Sequence, residues 1–293
     1  MLEFAGKTAF ITGAANGIGR GIAASLAAAG AKIAIADIDA QTLEETRAEF
    51  EAAGATVLAI ALDVSDRGAV ERAADRIEAE LGPVQVLVNN AGVTLGPIPV
   101  TDIDEKMWDW IFGVNLFGVV NGVSTFVPRM LGGGEEGHVV NTASIGGLQV
   151  NAELQNGSYS MTKYGVVALS EALQLQLAGS PIGVSVLCPA LVRTTLQESA
   201  QRRPERFGGP YDRVVPGHEL DMPTMQPKEL QPEEVGERVL AAIRNDDFFI
   251  FTHSETRAWL EARHEKLMAG FDALDAYLER LATAVEKTSE TDR

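Results

Sequence analysis

Tyr159 and Lys163 stand four positions apart in the stretch GSYSMTKYG, residues 157–165. On a helix that spacing puts both side chains on one face, one turn apart. A phenol beside an ammonium can do acid/base chemistry. A free tyrosine titrates at about 10, too high for a good base at neutral pH, and a nearby positive charge favours the phenolate. The plain alternative is an amphipathic helix surface. The choice depends on what the rest of the chain brings to that face.

A second constellation lies at the N-terminal end. FITGAANGIGRGIA places Gly13, Gly17 and Gly19 where an apolar strand turns into a helix, with Asn16 and Ile18 between them. Glycines suit a tight turn whose backbone must approach a pyrophosphate, and the helix N-terminus offers N–H groups and a positive dipole end to that anion. The spacing is G-x-x-x-G-x-G, not the G-x-G-x-x-G of most dinucleotide folds, and a glycine triplet alone also fits a packed strand–helix turn. Asp37 ends the second apolar run, eighteen positions after Gly19, and Ile38 follows it. A carboxylate there can accept both hydrogen bonds of an adenosine ribose diol and would repel a 2′-phosphate. Neither Asn16 nor Ile38 is a cation that could receive that phosphate, so NAD is expected rather than NADP.

These residues need a scaffold. KTAFITG, AKIAIAD, TVLAIALD, VQVLVNN, GHVVNTAS and GVSVLCP read as buried strands, rich in Val, Ile, Leu and Ala. Helical patterns alternate with them; SDRGAVERAADRIEAELG runs from an expected cap at Ser65 to a stop at Gly82. The alternation predicts an α/β fold, a doubly wound parallel sheet of Rossmann type. Residues 1–254 are expected as one domain, with 195–232 as a substrate loop and 255–293 as a C-terminal helical extension. PEEVGERVLAAIRN reads as a helix and DFFIFT as a last strand. Apolar residues from Trp259 to Val285 recur every three or four positions, as one amphipathic helix or a broken pair. That extension packs either on its own domain or on a partner subunit.

In order, TGAANGIG (12–19), NNAG (89–92), Asn115 in GVNLFG, Ser144 in NTASIGG, YSMTK (159–163) and PALVRT (189–194) resemble the short-chain dehydrogenase/reductase family over roughly residues 5–195. The resemblance implies an oxidoreductase that moves a hydride between a secondary alcohol or ketone and NAD(H). Tyr159 would be the acid/base. Lys163 would tune it and bind the nicotinamide ribose, and Asn115 would hold a water leading from Lys163 to solvent. Asp63 and Val64 would line the adenine pocket. Asn90, Ala91 and Gly92 would pass under the ribose and diphosphate. Pro189, Val192 and Thr194 would line the nicotinamide side, with Asn89 holding a strand-end turn. Ser144, at the end of the fifth strand, would orient the substrate oxygen. Two departures from the family pattern stand out. Ser144 lies fifteen residues before Tyr159, about two more than usual, and Ala190 stands where a glycine usually follows the proline.

Composition narrows the partners. The chain has 293 residues, 46% of them hydrophobic, and a formal net charge of −17. Such acidity disfavours nucleic acid and anionic membrane surfaces. Cys188 is the single cysteine, so no internal disulfide can form, which suits a reducing cytoplasm. The N-terminus lacks a signal-peptide pattern, and no stretch is expected to approach membrane-spanning length. His138, His218, His253 and His264 lack metal-ligand spacing and read as surface or edge residues. Arg202, Arg203 and Arg206 read as a solvated loop, with an anion clamp as the sharper alternative. Residues 145–157 and 195–230 should line the substrate pocket, where Leu148, Val150, Leu196, Met222 and Met225 suggest an apolar or aromatic alcohol. The resemblance also implies a homo-oligomer, a dimer or tetramer, built on helices around 103–131 and 157–178. Two other functions remain open: an NADP-linked carbonyl reductase, and a non-catalytic NAD-binding sensor or scaffold.

Overall fold

The computed structural model describes residues 2–150, 156–212 and 227–291. The apolar runs become strands β1 (Thr8–Thr12), β2 (Lys32–Asp37), β3 (Val57–Ala61), β4 (Val84–Asn89), β5 (Gly137–Thr142), β6 (Ile182–Cys188) and β7 (Phe249–Phe251). They form one sheet in the order β3-β2-β1-β4-β5-β6-β7, and every pairing is parallel. The expected doubly wound sheet is therefore present. The chain winds outward from β1 to β3, then returns to β4 on the other side of β1. That reversal is where ligands bind in open parallel sheets.

Helices α1 (Gly17–Ala28), α2 (Ala40–Ala52), α3 (Arg67–Leu81), α4 (Glu105–Phe112), α5 (Gly118–Gly133), α6 (Gly157–Gln176) and α7 (Pro232–Asn245) cover the two faces. Alternation along β1 sends Ala9 and Ile11 to one face and Phe10 to the other. Ala9 and Ile11 join Ile22 and Leu26 of α1 and Val235 and Val239 of α7 in one core cluster. Phe10 joins Ile77 of α3, Phe126 of α5 and Leu173 of α6 in the other. Helices α1 and α7 touch backbone to backbone. A Cβ on Gly21 would lie 2.1 Å from the Pro232 carbonyl oxygen, and one on Gly236 would lie 2.3 Å from that of Gly21.

Two expectations change. The cap of α3 is Asp66, whose carboxylate accepts the Ala69 N–H; the Ser65 hydroxyl instead donates to Asp63, 2.6 Å away. The stop at Gly82 holds, with φ +96°. In addition, a five-residue π-helical segment, Gly113–Phe117, joins α4 to α5. The resulting run Glu105–Gly133 is long and apolar enough to cross a membrane by length and composition, contrary to expectation. More than half of its apolar window is buried inside the fold, where Phe126 and Met130 pack on the sheet. The glycines at 113 and 118 break the sequence pattern, but the π segment carries the helix through them.

The contacts divide the chain into two units, Met1–His253 and Ser254–Arg293. The second is a 3-10 turn, Ser254–Thr256, leading into a single helix α8 (Arg257–Thr291). Leu267, Phe271, Leu274, Leu278 and Leu281 are all exposed along it.

Candidate active site

A cleft of about 370 Å³ opens at the carboxyl ends of the strands, at the reversal between β1 and β4. That volume suits a small-molecule site. Most of the expected nucleotide residues line this cleft together with Ser144 and Tyr159, while Gly19, Lys163 and Asn115 are buried behind its wall.

The glycine turn forms one wall. Gly13 and Gly17 have φ of +64° and +55°, a region that favours glycine. A Cβ on Gly13 would sit 2.7 Å from the Ala91 Cα, and one on Gly19 would sit 2.2 Å from the Gly13 carbonyl oxygen. Asn16 stands at the N-cap of α1, but its side chain makes no cap bond; its Oδ1 accepts the Thr195 hydroxyl at 2.6 Å. The first turn of α1 is thus left to an outside acceptor. A cradle that side chains would fill, facing such a helix start, fits a dinucleotide diphosphate. Asn90 pins the turn: its Nδ2 donates to the Thr12 and Gly13 carbonyls at 3.0 and 3.1 Å, and its Oδ1 accepts the Thr142 hydroxyl. Asn89 reaches sideways rather than around a strand-end turn, donating to Asn141 Oδ1 on β5 at 2.9 Å.

Asp37 takes the turn-forming role open to it and also lines the cleft. Its two oxygens accept the N–H groups of Ala15 and Asp39, each at 3.1 Å, so it forms the strand-end turn and braces the glycine loop. Each oxygen keeps a lone pair for a ribose hydroxyl. Burial raises its carboxyl above the usual range. At the next strand end, Val64 is buried and Asp63 Oδ1 accepts the Ser65 N–H.

The chemistry end lies across the cleft. The Tyr159 phenol shares a hydrogen bond with the Ser144 hydroxyl. The Ser144 oxygen also accepts the Gly146 N–H at 3.0 Å, capping a 3-10 turn, Ile145–Gly147. This turn keeps Ser144 beside Tyr159 despite the longer spacing. Lys163 is 2% exposed and donates to the Thr142 carbonyl at 2.8 Å, with Nζ 5.6 Å from the centre of the Tyr159 ring. Burial pushes Tyr159 up to about 12, opposed by the Ser144 bond, and pulls Lys163 down to about 8. In the protein without a cofactor, burial therefore holds the phenol above its ordinary value. Cys188 is buried as expected, and burial pushes its thiol up to about 12 beside Lys163. Asn115, on the π segment and 0% exposed, accepts the Val93 N–H through Oδ1 and donates through Nδ2 to the Val93 carbonyl and the Thr162 hydroxyl.

Several side chains fall elsewhere than expected. Leu148 packs with Val119 and Ala143 in a third core cluster, and Val150 is exposed, so neither reads as pocket wall. Met222, Met225 and His218 lie outside the described residues. His138 and His253 are buried, not surface residues; His138 pairs with Ser185 at 2.7 Å, and burial pulls it down to about 4. Of the three arginines only Arg203 leaves solvent, and the other two, though partly exposed, are tied down. Arg206 reaches Asp63 at 2.6 Å, Arg202 reaches the Thr195 hydroxyl at 3.1 Å, and Arg203 is buried on the Tyr211 ring. Thr195 and Arg202 line the cleft from within the expected substrate segment, whereas sequence reading missed Trp110, which lines it from α4. Ala190 lines the cleft, and its N–H donates to the Thr252 hydroxyl at 3.3 Å.

Comparison with known proteins decides the family. The family model described as "short chain dehydrogenase" matches residues 7–205. The chain belongs to the short-chain dehydrogenase family. It is 38% identical over 272 residues to a C alpha-dehydrogenase of Sphingobium sp. strain NBRC 103272 / SYK-6, covering 92% of this chain and 87% of that one. It is 34% identical to a 1-deoxy-11-beta-hydroxypentalenate dehydrogenase of Streptomyces exfoliatus, over 86% of this chain and 84% of the relative. A short-chain dehydrogenase/reductase from Burkholderia phymatum, solved in complex with NAD, is 36% identical with a TM-score of 0.84, over 92% of this chain and 97% of that one. As a short-chain dehydrogenase the chain is an oxidoreductase with a dinucleotide-type fold.

Proposed function

We propose that this short-chain dehydrogenase oxidises a secondary alcohol to a ketone, or reverses that step, with NAD(H). The observation that carries the reading is the Ser144–Tyr159 hydrogen bond, set above buried Lys163 and facing the glycine turn across one cleft. When bound, NAD takes the hydride from the alcohol carbon and, in its oxidised form, brings a positive ring. Ser144 holds the substrate oxygen, and Tyr159 takes its proton. Lys163 supplies a fixed positive charge near the phenol, and that charge together with the cationic ring opposes the effect of burial. Gly13, Gly17 and Gly19 receive the diphosphate, Asp37 the ribose diol, and Val192 and Thr194 the carboxamide. The Asn115 amide fixes the π turn against Val93 and Thr162, which holds the helix face on which Tyr159 and Lys163 stand. Trp110, Val114 and Leu196 line the cleft and favour an apolar or aromatic substrate.

A panel of secondary alcohols with NAD, read as NADH absorbance, tests this directly. NADH formation with some member of the panel is expected; NAD binding without turnover across the panel would favour the sensor reading. A second reading is NADP use, favoured by Arg202, which lines the cleft with its Nε 3.8 Å from Asp39 Oδ2. Asp37 argues against it, and comparing the two affinities separates the readings. A homo-oligomer is part of the proposal. Phe117, Leu131, Met161 and Leu175 are exposed on the helices expected to carry the subunit contact, and light scattering would report the mass.

A further inference from the structure

The loop after β6 is fastened at two ends. At the nucleotide end, Arg206 Nη2 donates to Asp63 Oδ2 at 2.6 Å and also to the Ser65 hydroxyl. Arg202 Nη1 donates to the Thr195 hydroxyl, which donates to Asn16, and Arg202 Nε lies 3.8 Å from Asp39 Oδ2. At the catalytic end, Phe207 and Tyr211 pack in the cluster that contains Tyr159 and Trp110. The Tyr211 hydroxyl donates to the Leu95 carbonyl at 3.1 Å, and the Arg203 guanidinium lies over its ring. One loop therefore touches the ends of β2 and β3 and the surroundings of the phenol.

The charges make this arrangement consequential. The cleft wall carries Asp37, Asp63 and Glu229 against the cations Arg193 and Arg202. A dinucleotide brings two more negative charges at its diphosphate. Arg206 neutralises Asp63, and Arg202 sets a guanidinium beside Asn16 at the helix start. Half-exposed ion pairs of this kind are each worth only about 0–1 kcal/mol. The nucleotide end of the loop is thus held weakly enough for a ligand beneath it to decide whether that end stays seated.

We propose that Arg202 and Arg206 are positioning residues for the dinucleotide, through which the adenosine half of the cofactor, not the nicotinamide half, seats the wall of the substrate pocket. This rests on the dinucleotide reading above. Leu196, Ser199 and Pro204 lie on the same loop and line the cleft, so seating the arginines sets the pocket's shape.

The test uses the full chain with ADP-ribose and nicotinamide mononucleotide as separate probes. Calorimetry measures binding, and chymotrypsin cleavage after Phe207 and Tyr211 reports loop opening. Cleavage of a transiently opened segment follows the open population, which a ligand specific for the closed form lowers. ADP-ribose at about ten times its Kd is expected to slow cleavage roughly tenfold, and nicotinamide mononucleotide at saturation less than twofold. In the R202A/R206A variant, ADP-ribose protection should fall below about twofold, while unliganded cleavage quickens. An R202K/R206K variant, which keeps charge but loses the planar fork, should recover part of the protection. Binding of ADP-ribose with no protection in the wild type would overturn the proposal, as would equal protection by both probes. Failure of ADP-ribose to bind at all would overturn the dinucleotide reading and this proposal with it.

Discussion

Lys163 gives its hydrogen bond to the main-chain oxygen of Thr142, 2.8 Å away, and stands off the Tyr159 ring at 5.6 Å. The lysine is anchored to the end of β5, with its ammonium over the phenol ring. Tyr159→Phe removes the proton carrier while leaving that anchor and the glycine turn intact. NAD affinity, read by fluorescence, should stay within about threefold, and turnover should fall by the roughly 10²–10⁴ of lost acid/base catalysis. Because burial holds the phenol up, alcohol oxidation in the wild type should climb with pH across the neutral range. Turnover near wild type in the variant would remove Tyr159 from the chemistry.

Asp37 predicts both a cofactor choice and a stability effect. The wild type should bind NAD at least tenfold more tightly than NADP. Asp37→Asn should narrow that gap. Because burial raises the Asp37 carboxyl, the wild type without cofactor should lose stability as pH rises through the carboxylate range, a dependence the variant should show less of in its urea midpoints. NADP preference in the wild type would refute the ribose assignment.

His138 predicts acid sensitivity. Burial pulls its folded-state value to about 4, against 6.5 when unfolded. Between those values the unfolded chain binds the extra proton, so stability rises with pH and is lost as pH falls from about 6.5 toward 4. The loss at the acid end is about 3 kcal/mol, from roughly 1.4 kcal/mol per unit. Urea midpoints measured across that range for wild type and His138→Gln should show a shallower slope in the variant; parallel slopes would contradict the assignment.

The backbone contact between α1 and α7 predicts a cost without any chemistry. Gly21→Ala must push the Pro232 carbonyl away, and overpacking of this sort costs about 1–3 kcal/mol. Gly21→Ala and Gly236→Ala together should cost less than their sum, because one shift of α7 relieves both. Additive urea-unfolding energies would argue that the two contacts are independent.

The parts of the fold that the sequence made legible are those with a local cause. Apolar runs between turn residues mark the buried strands of the sheet, and the glycines of residues 13–19 need only their own φ values and close neighbours to be recognised. Tyr159 and Lys163 are paired by helix geometry alone. What stayed hidden depends on long-range placement. Arg206 meets Asp63 across 143 positions, and no periodicity encodes that meeting. The π segment at Gly113–Phe117 escaped because the apolar pattern of a helical stretch does not mark where an α turn widens into a π turn. His138 carries no mark of burial except the strand around it. Leu148, an apolar loop residue, is drawn to a core cluster instead of the cleft, a choice made by the 3-10 turn beside it.

All seven strands point the same way, so every strand ends on one rim. That rim behaves as a socket and the opposite side as a chassis. The segment 195–212 is a replaceable fitting: an engineer seeking a new substrate could exchange it for a relative's segment while the two core clusters stay as they are. A graft that omits arginines at 202 and 206 would change the pocket and unseat the nucleotide end together. Transplants that carry those two positions across should separate substrate choice from cofactor affinity.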